Sequence, residues 1–282
     1  MVSQISQVKK YYDSTLTDYK LLWTDSKGLA IHFGYYDKGV KNHKQAVLKT
    51  NEVLARLVAI KPTDFVLDAG CGLGGSAIWL AQNIGCRVVG ITIVPHQVET
   101  AQKFVKKYQL ENKIDIQNQN YCQTNFDDQS FDVVWALESI VHAQDKKDFI
   151  DEAFRLLRKD GRIIIAEYTL RDHPPLSIKE RKIIAPWLKG WAMPNLLTAN
   201  EYKKLLKKTG FKKIRSFDIT NKMRPSLARL SRLSKIAMPL AKLLYKLRIF
   251  NKERFGNIEG STYQMKALAQ QLWSYTVVTA KR

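Results

Sequence analysis

Cysteine is scarce. The three thiols, Cys71, Cys86 and Cys122, form no CxxC pair, so neither a disulfide framework nor a zinc site is supported. That usage suits a reducing compartment, and a cytoplasmic location is expected. Acidic residues are also few, 26 against 46 Lys and Arg, leaving a net charge of +20. No stretch reaches the roughly 18–20 uninterrupted apolar residues of a membrane span. The best candidate, Ile236 to Phe250, is broken by Pro239, Lys242, Lys246 and Arg248. The polar opening MVSQISQVKKYYDS gives no reason to expect a secretory signal. Repeats and low-complexity tracts are missing too. With 45% hydrophobic and 26% charged residues, a disordered or collagen-like chain is excluded.

What is present is an alternating pattern. Residues 1 to about 60 read as helical, with Ala46, Leu54, Leu57 and Val58 at helical spacing and Lys61-Pro62 as a stop. From Phe65, short apolar runs alternate with amphipathic ones. Strands are expected at 65–67, 87–91, 114–117, 131–136 and 162–168, and helices at 76–84, 96–109 and 146–157. This alternation means βαβ units and a mostly parallel sheet covered on both faces. The proline-containing stretch 171–197 reads as an irregular insertion. Thr198 caps a helix that ends at Gly210, and 211–219 and 273–279 read as strands. The expected organisation is a lid (1–60), a core (61–170), a cap insertion (171–197), a core helix and strand (198–221), a basic helical cap (222–270) and a closing strand (271–282).

The most informative stretch is Val66-Leu67-Asp68-Ala69-Gly70-Cys71-Gly72-Leu73-Gly74-Gly75. An apolar strand runs into a glycine loop and then a helix. Gly70, Gly72 and Gly75 satisfy G-x-G-x-x-G, a pattern that lets a ligand approach bare backbone at a helix N-terminus. By itself it does not name the ligand. A dinucleotide reading wants an acid after the second strand, and Gly90-Ile91-Thr92-Ile93 supplies none. Asp68, two residues before Gly70, can face a ligand amine or order the loop.

VLDAGCGLGG resembles motif I of class I S-adenosylmethionine-dependent methyltransferases. Together with YYDS, IHFGYY (31–36), GITIVPHQV (90–98), FDVVWALESIVH (131–142) and LWSYTVVTAKR, it is similar to the group that includes tocopherol and sterol methyltransferases. The resemblance implies an α/β, Rossmann-like seven-stranded mostly parallel sheet with helices on both faces and a helical cap. It implies S-adenosylmethionine as methyl donor, no required metal, and a small lipophilic acceptor methylated on carbon or oxygen. Carried over by position, Asp68, Gly70 and Gly72 would line the methionine and ribose of the donor. Thr92, Ile93 and Gln97 would lie by the ribose and adenine, and Asn120-Tyr121 beside the adenine amino group. Leu137 and Glu138 would border the methionine end and the acceptor, while Tyr11, Tyr12 and His32 would come from the lid.

For the chemistry, Glu138 and His142 are the candidates. Both follow the fourth strand, at the sheet edge where ligands bind in open α/β folds. His142 is the natural near-neutral base, and Glu138 could orient it or stabilise positive charge. Glu167 is a weaker candidate. Tyr35 and Tyr36 could belong to the lid or pack in the cap. Trp187, Trp191, Met193 and Leu196 could wall an acceptor pocket or serve as core, and Trp135 reads as core.

From Lys222 to Arg254 there are ten basic residues and one acid, Glu253. Leu227, Leu230, Leu233, Ala237, Leu240, Leu244 and Leu247 recur at the spacing of one helical face, with a break or kink expected at Pro239. A solvated cap helix, peripheral contact of 222–254 with an anionic membrane surface, and recognition of an anionic group all stay open. An RNA methyltransferase is a further alternative. Against it, 136–139 reads Ala-Leu-Glu-Ser rather than Asn/Asp-Pro-Pro-aromatic, and no aromatics interleave with the basic run as stacking platforms. The remaining alternative is a regulator that binds the donor without turnover.

Overall fold

The computed structural model describes residues 3–22, 29 and 31–282, with the side chains of 17–22 excepted. Two helices, α1 (Gln4–Leu22) and α2 (His43–Leu57), precede the sheet. Then come β1 (Phe65–Ala69), α3 (Gly75–Asn83), β2 (Arg87–Thr92), α4 (Pro95–Lys107), β3 (Ile114–Asn118) and β4 (Phe131–Leu137). A single 3-10 turn, Ile140–His142, leads into α5 (Lys146–Leu156) and β5 (Leu157–Leu170). The remainder is α6 (Ile178–Gly190), α7 (Ala199–Thr209), β6 (Lys212–Asp218), α8 (Thr220–Lys246), α9 (Lys252–Ala269) and β7 (Trp273–Lys281).

The seven strands lie in the order β3-β2-β1-β4-β5-β7-β6. The pairings from β3 through β5 are parallel, and β7 runs antiparallel to both β5 and β6. Central strands buried on both faces should read as continuous apolar runs. β4 does so, with Val133, Val134, Trp135 and Ala136 all at 1% exposure or less. Trp135 is core, as its sequence context implied. One apolar cluster fills the face toward α1, α2, α6, α8 and α9, and a second fills the face toward α5 and α7.

Three expectations need correction. The stretch 171–197 is not irregular, because α6 occupies its middle. Ser177 and Glu180 form a reciprocal capping box, and Pro186 is tolerated inside the helix. The carbonyl it leaves without a donor, that of Lys182, is on an exposed residue where water can replace the N–H. Pro239 likewise does not divide α8, which runs unbroken from Thr220 to Lys246. Nor do the cap leucines form one buried face: Leu227 and Leu230 are buried, whereas Leu240 and Leu247 are exposed.

Candidate functional site

β1 and β4 are neighbours, and their C-terminal ends deliver the two loops on which the site is built. The loop after β1 is held by its backbone. Gly70 and Cys71 N–H both donate to Ile91 O at 2.9 Å. Gly70 has φ +89°, and a Cβ there would fall 2.4 Å from Cβ of Ser139. Only glycine permits both the conformation and the close approach. Ser139 in turn donates from Oγ to Ala69 O at 2.6 Å, so the post-β1 and post-β4 loops are fastened together.

These loops border a cavity of about 730 Å³. Of the residues expected around the donor, Asp68, Gly70, Gly72, Thr92, Ile93 and Gln97 line it. So do Tyr121, Leu137, Tyr12 and His32, together with both catalytic candidates, Glu138 and His142. Asp68 is buried with Oδ2 unpartnered, and burial pushes its carboxyl up to about 7. His32 donates from Nδ1 to Phe33 O at 3.0 Å and leaves Nε2 unpartnered. In place of an acid after β2, Thr92 Oγ1 donates to Gln97 Oε1 at 2.7 Å, both buried.

Two expected residues lie elsewhere. Asn120 does not line this cavity, because its side chain turns back to accept from Cys122 N–H at 3.0 Å. Tyr11 lines instead a second chamber of about 360 Å³, with its hydroxyl donating to Asn257 Oδ1. The second chamber shares Tyr12, Ile31, Glu138 and His142 with the first. Its other walls are Phe33, Val141, Tyr168, Trp191 and Met193. Trp191 and Met193 therefore reach a cavity. Trp187 and Leu196 are core, and Tyr35 and Tyr36 line neither chamber.

Glu138 and His142 do not bond each other. Glu138 Oε1 accepts from Phe33 N–H at 2.8 Å and from Tyr275 Oη at 2.7 Å, while Oε2 accepts from Tyr168 Oη in a short bond. Its backbone sits at φ +50°, a conformation that costs a non-glycine residue free energy and is typical of constrained sites. Burial raises its carboxyl to about 7, against the opposing effect of the three donors. His142 is oriented by other groups. Its Nδ1 lies 3.3 Å from Ala192 O, which can only accept, so Nδ1 carries the proton. Nε2 is then the acceptor for Tyr12 Oη at 3.0 Å. Burial lowers the imidazole to about 4, so it is neutral at pH 7.

Glu167 lines neither chamber. Oε1 accepts from Ser139 N–H (2.7 Å) and Ile140 N–H (2.8 Å), anchoring the turn that carries His142. Burial, then the nearby Glu138, raises its carboxyl to about 8.

Tyr168, Tyr275 and Lys146 carry much of this geometry and were not singled out from the sequence. The β5/β7 register sets Tyr168 opposite Tyr275, and that long-range pairing had no local signal. Lys146, 1% exposed, donates to Val141 O, Ala143 O and Asn195 O. Its only trace in the sequence is its position four residues after His142.

A methyltransferase-domain family matches residues 67–165. The (+)-O-methylkolavelool synthase of Herpetosiphon aurantiacus is 28% identical over 280 residues, covering 99% of this chain and 94% of that one. An O-methyltransferase of Pyrenophora dematioidea is 33% identical over 208 residues, covering 72% and 76% respectively. The geranyl diphosphate C-methyltransferase of Streptomyces coelicolor A3(2), solved with Mg2+, geranyl diphosphate and S-adenosyl-L-homocysteine, shares the fold. Its TM-score is 0.74 at 18% identity, covering 100% and 98% of the two chains.

Proposed function

The chain belongs to the S-adenosylmethionine-dependent methyltransferases, and from that premise we propose that it methylates a hydroxyl oxygen on a small lipophilic acceptor of isoprenoid or phenolic type. The observation that carries this reading is a neutral imidazole at the junction of two chambers, its Nε2 lone pair engaged, among the described residues, by the hydroxyl of Tyr12.

The first chamber suits the methyl donor. Asp68 offers an unpartnered buried carboxyl oxygen, and Gly70 and Gly72 offer bare backbone beside it. In this reading Asp68, Gly70 and Gly72 hold the methionine and ribose portions, with Leu137 at the methionine end. Thr92, Ile93, Gln97 and Tyr121 hold the ribose and adenine, and Tyr12 covers the donor from the lid. Asn120 and Tyr11 are assigned no contact with it. When bound, S-adenosylmethionine supplies a methyl group already activated on a positively charged sulfur.

The protein's own tasks are alignment, water exclusion and proton handling. The second chamber is walled by Phe33, Tyr168, Trp191, Val141 and Met193, which favour an apolar body. Its polar groups include Glu138, His142 and the hydroxyl of Tyr12, all shared with the first chamber. An acceptor hydroxyl taking the place of Tyr12 Oη would donate to His142 Nε2, which accepts its proton as the oxygen is methylated. General-base assistance of this kind contributes about 10²–10⁴-fold. The relative from Herpetosiphon, an O-methylkolavelool synthase by name, supports methylation of oxygen.

A second reading rests on Glu138. Surrounded by Phe33, Tyr168 and Trp191, its carboxylate could stabilise the cation formed when an alkene carbon is methylated. The products separate the two. Incubation with methyl-labelled S-adenosylmethionine and a prenyl alcohol, a prenylated phenol or total RNA should give a labelled methyl ether from the first two alone. A carbon-methylated product would favour the Glu138 reading. Donor binding with no product from any acceptor would overturn both. A lipophilic acceptor dissolves in lipid, so the reading includes a cytoplasmic enzyme making peripheral contact with an anionic membrane through its basic segment 222–254.

A further inference from the structure

The apolar residues of α8 step by three or four positions from Leu227 to Leu247, at a mean near 3.3 residues. An α-helix turns once in about 3.6, so the stripe winds round the helix instead of staying on one face. The structure bears the consequence. Leu227 and Leu230 are 1% and 4% exposed, and the helix is packed on the core there. Further on, Ile236, Leu240, Leu243 and Leu247 are 72%, 59%, 53% and 59% exposed. These four form one line, roughly 140° round the helix from buried Ser234 and Ala241 at 100° per residue. They are a second apolar face, pointing away from the protein, and not the fringe of its core. Ile249, in the turn after the helix, is 65% exposed and extends the line.

We propose that this tip, residues 235–252, docks on an anionic lipid bilayer. Lys235, Lys242 and Lys246 are exposed, run along one flank of the apolar line, and pair with no acid among the described residues. Arg248 and Lys252 are exposed at its end. Glu253, the one acid in the segment 222–254, is taken by Lys10 at 2.7 Å. Apolar side chains flanked by lysine suit the boundary between acyl chains and anionic headgroups. A nucleic acid would leave the apolar line without a partner. A second copy would bring one +20 surface against another. No described helix is long and apolar enough to cross a membrane, so the contact is peripheral. The tip is preformed, since Tyr245 stacks on Phe255 at 4.7 Å and the Arg254 guanidinium lies 4.0 Å over the Phe250 ring.

The tip is also joined to the lid. Asn251 Nδ2 donates to Ser14 Oγ at 2.9 Å, and Lys10 and Glu253 link α1 to α9. Helix α1 carries Tyr11 and Tyr12, which line the second chamber. Docking therefore brings the chamber's lid beside the bilayer. The docking stands on the surface alone, while its use, collecting an acceptor from lipid, rests on the lipophilic-acceptor reading.

The test is co-sedimentation of the full chain with phosphatidylcholine vesicles with and without phosphatidylglycerol. Binding should require the anionic lipid and fall as salt rises. The triple variant L240S/L243S/L247S should bind about tenfold more weakly, with an unchanged melting temperature because these side chains are exposed. Equal binding by the variant, or no binding by the wild type at low salt, would overturn the proposal. So would wild-type dimers that the triple variant abolishes without any vesicle binding. Turnover of a detergent-dispersed acceptor should be unaffected by the substitutions. If no lipophilic acceptor is methylated yet the vesicles bind, the functional reading fails and the docking stands.

Discussion

Tyr12 Oη lies 3.0 Å from Nε2 of His142, and the tyrosine comes from α1 while the histidine comes from the turn after β4. The pair closes the place where the two chambers meet. It also reports the state of the imidazole: with Nδ1–H committed to Ala192 O, Nε2 is the lone-pair end.

His142→Ala should lower kcat about 10²–10⁴-fold with little change in donor affinity. Because burial holds the imidazole at about 4, the wild-type kcat/KM profile for the acceptor, at saturating donor, should keep its acidic limb near that value and show none near 6.5. Steady-state kinetics across pH would reveal either outcome. Full activity in the variant would remove His142 from the mechanism.

The buried acids predict how stability depends on pH. Asp68, Glu138 and Glu167 are raised to about 7, 7 and 8. Between the ordinary carboxyl value and these, the folded protein holds protons that the unfolded chain has released, so their contribution is lost as pH rises. His32 and His142, both lowered to about 4, act oppositely, and their contribution is lost as pH falls from 6.5 through 4. Above pH 6.5 the histidines no longer act, and Lys146, lowered by burial to about 8, opposes the acids only as that value is reached. The melting temperature of the ligand-free protein should therefore decline between pH 6.5 and 7.5, and E167Q should flatten the decline. A rising curve would contradict the assignment.

Donor binding should be linked to Asp68. A cationic ligand favours the carboxylate, so binding releases a proton and affinity rises with pH through about 7. Calorimetry in buffers of different ionisation enthalpy would detect the release. Asp68→Asn should bind weakly and release none. Unchanged affinity in that variant would sink the donor-site assignment.

Two glycines should behave differently. Gly70→Ala sets a Cβ 2.4 Å from Ser139 Cβ at φ +89°, at the wall of the first chamber, and should abolish donor binding if that chamber holds the donor as proposed. Gly190→Ala sets a Cβ 2.1 Å from Gly256 O, where α6 crosses α9. That substitution should lower the melting temperature while the donor Kd measured on the folded fraction stays unchanged.

Local features were legible in the sequence and distant ones were not. The glycine loop, the bare Thr92 at the end of β2 and the post-β4 Glu138 and His142 were readable because a strand, a turn and the next helix are contiguous. The Tyr168–Tyr275 clamp on Glu138 depends on a strand register spanning over a hundred residues. Helix α6 is hidden in the sequence because Pro186 reads as a breaker, although Ser177 and Glu180 spell a capping box. Asn120 was expected at the donor, but a backbone turn recruited its side chain. The cap leucines looked like one face because steps of three and four each fit a helix, and only their running sum shows the drift.

Lys146 provides the last prediction. Its ammonium donates to Val141 O (3.1 Å) and Ala143 O (2.9 Å), on either side of His142, and to Asn195 O (3.0 Å). Asn195 belongs to the loop whose Ala192 carbonyl holds His142 Nδ1. One side chain thus ties the imidazole's turn to the carbonyl that sets its tautomer, and its charge also depresses the imidazole. Lys146→Met should leave three carbonyls without this donor, at about 1–3 kcal/mol for each that stays buried and unpaired, and should lower the melting temperature. It should also cut kcat more than KM and move the acidic limb of kcat/KM upward, because the neighbouring positive charge is gone. A merely structural lysine would lower stability and leave that limb in place, so the pH profile of the folded variant decides whether Lys146 positions the base.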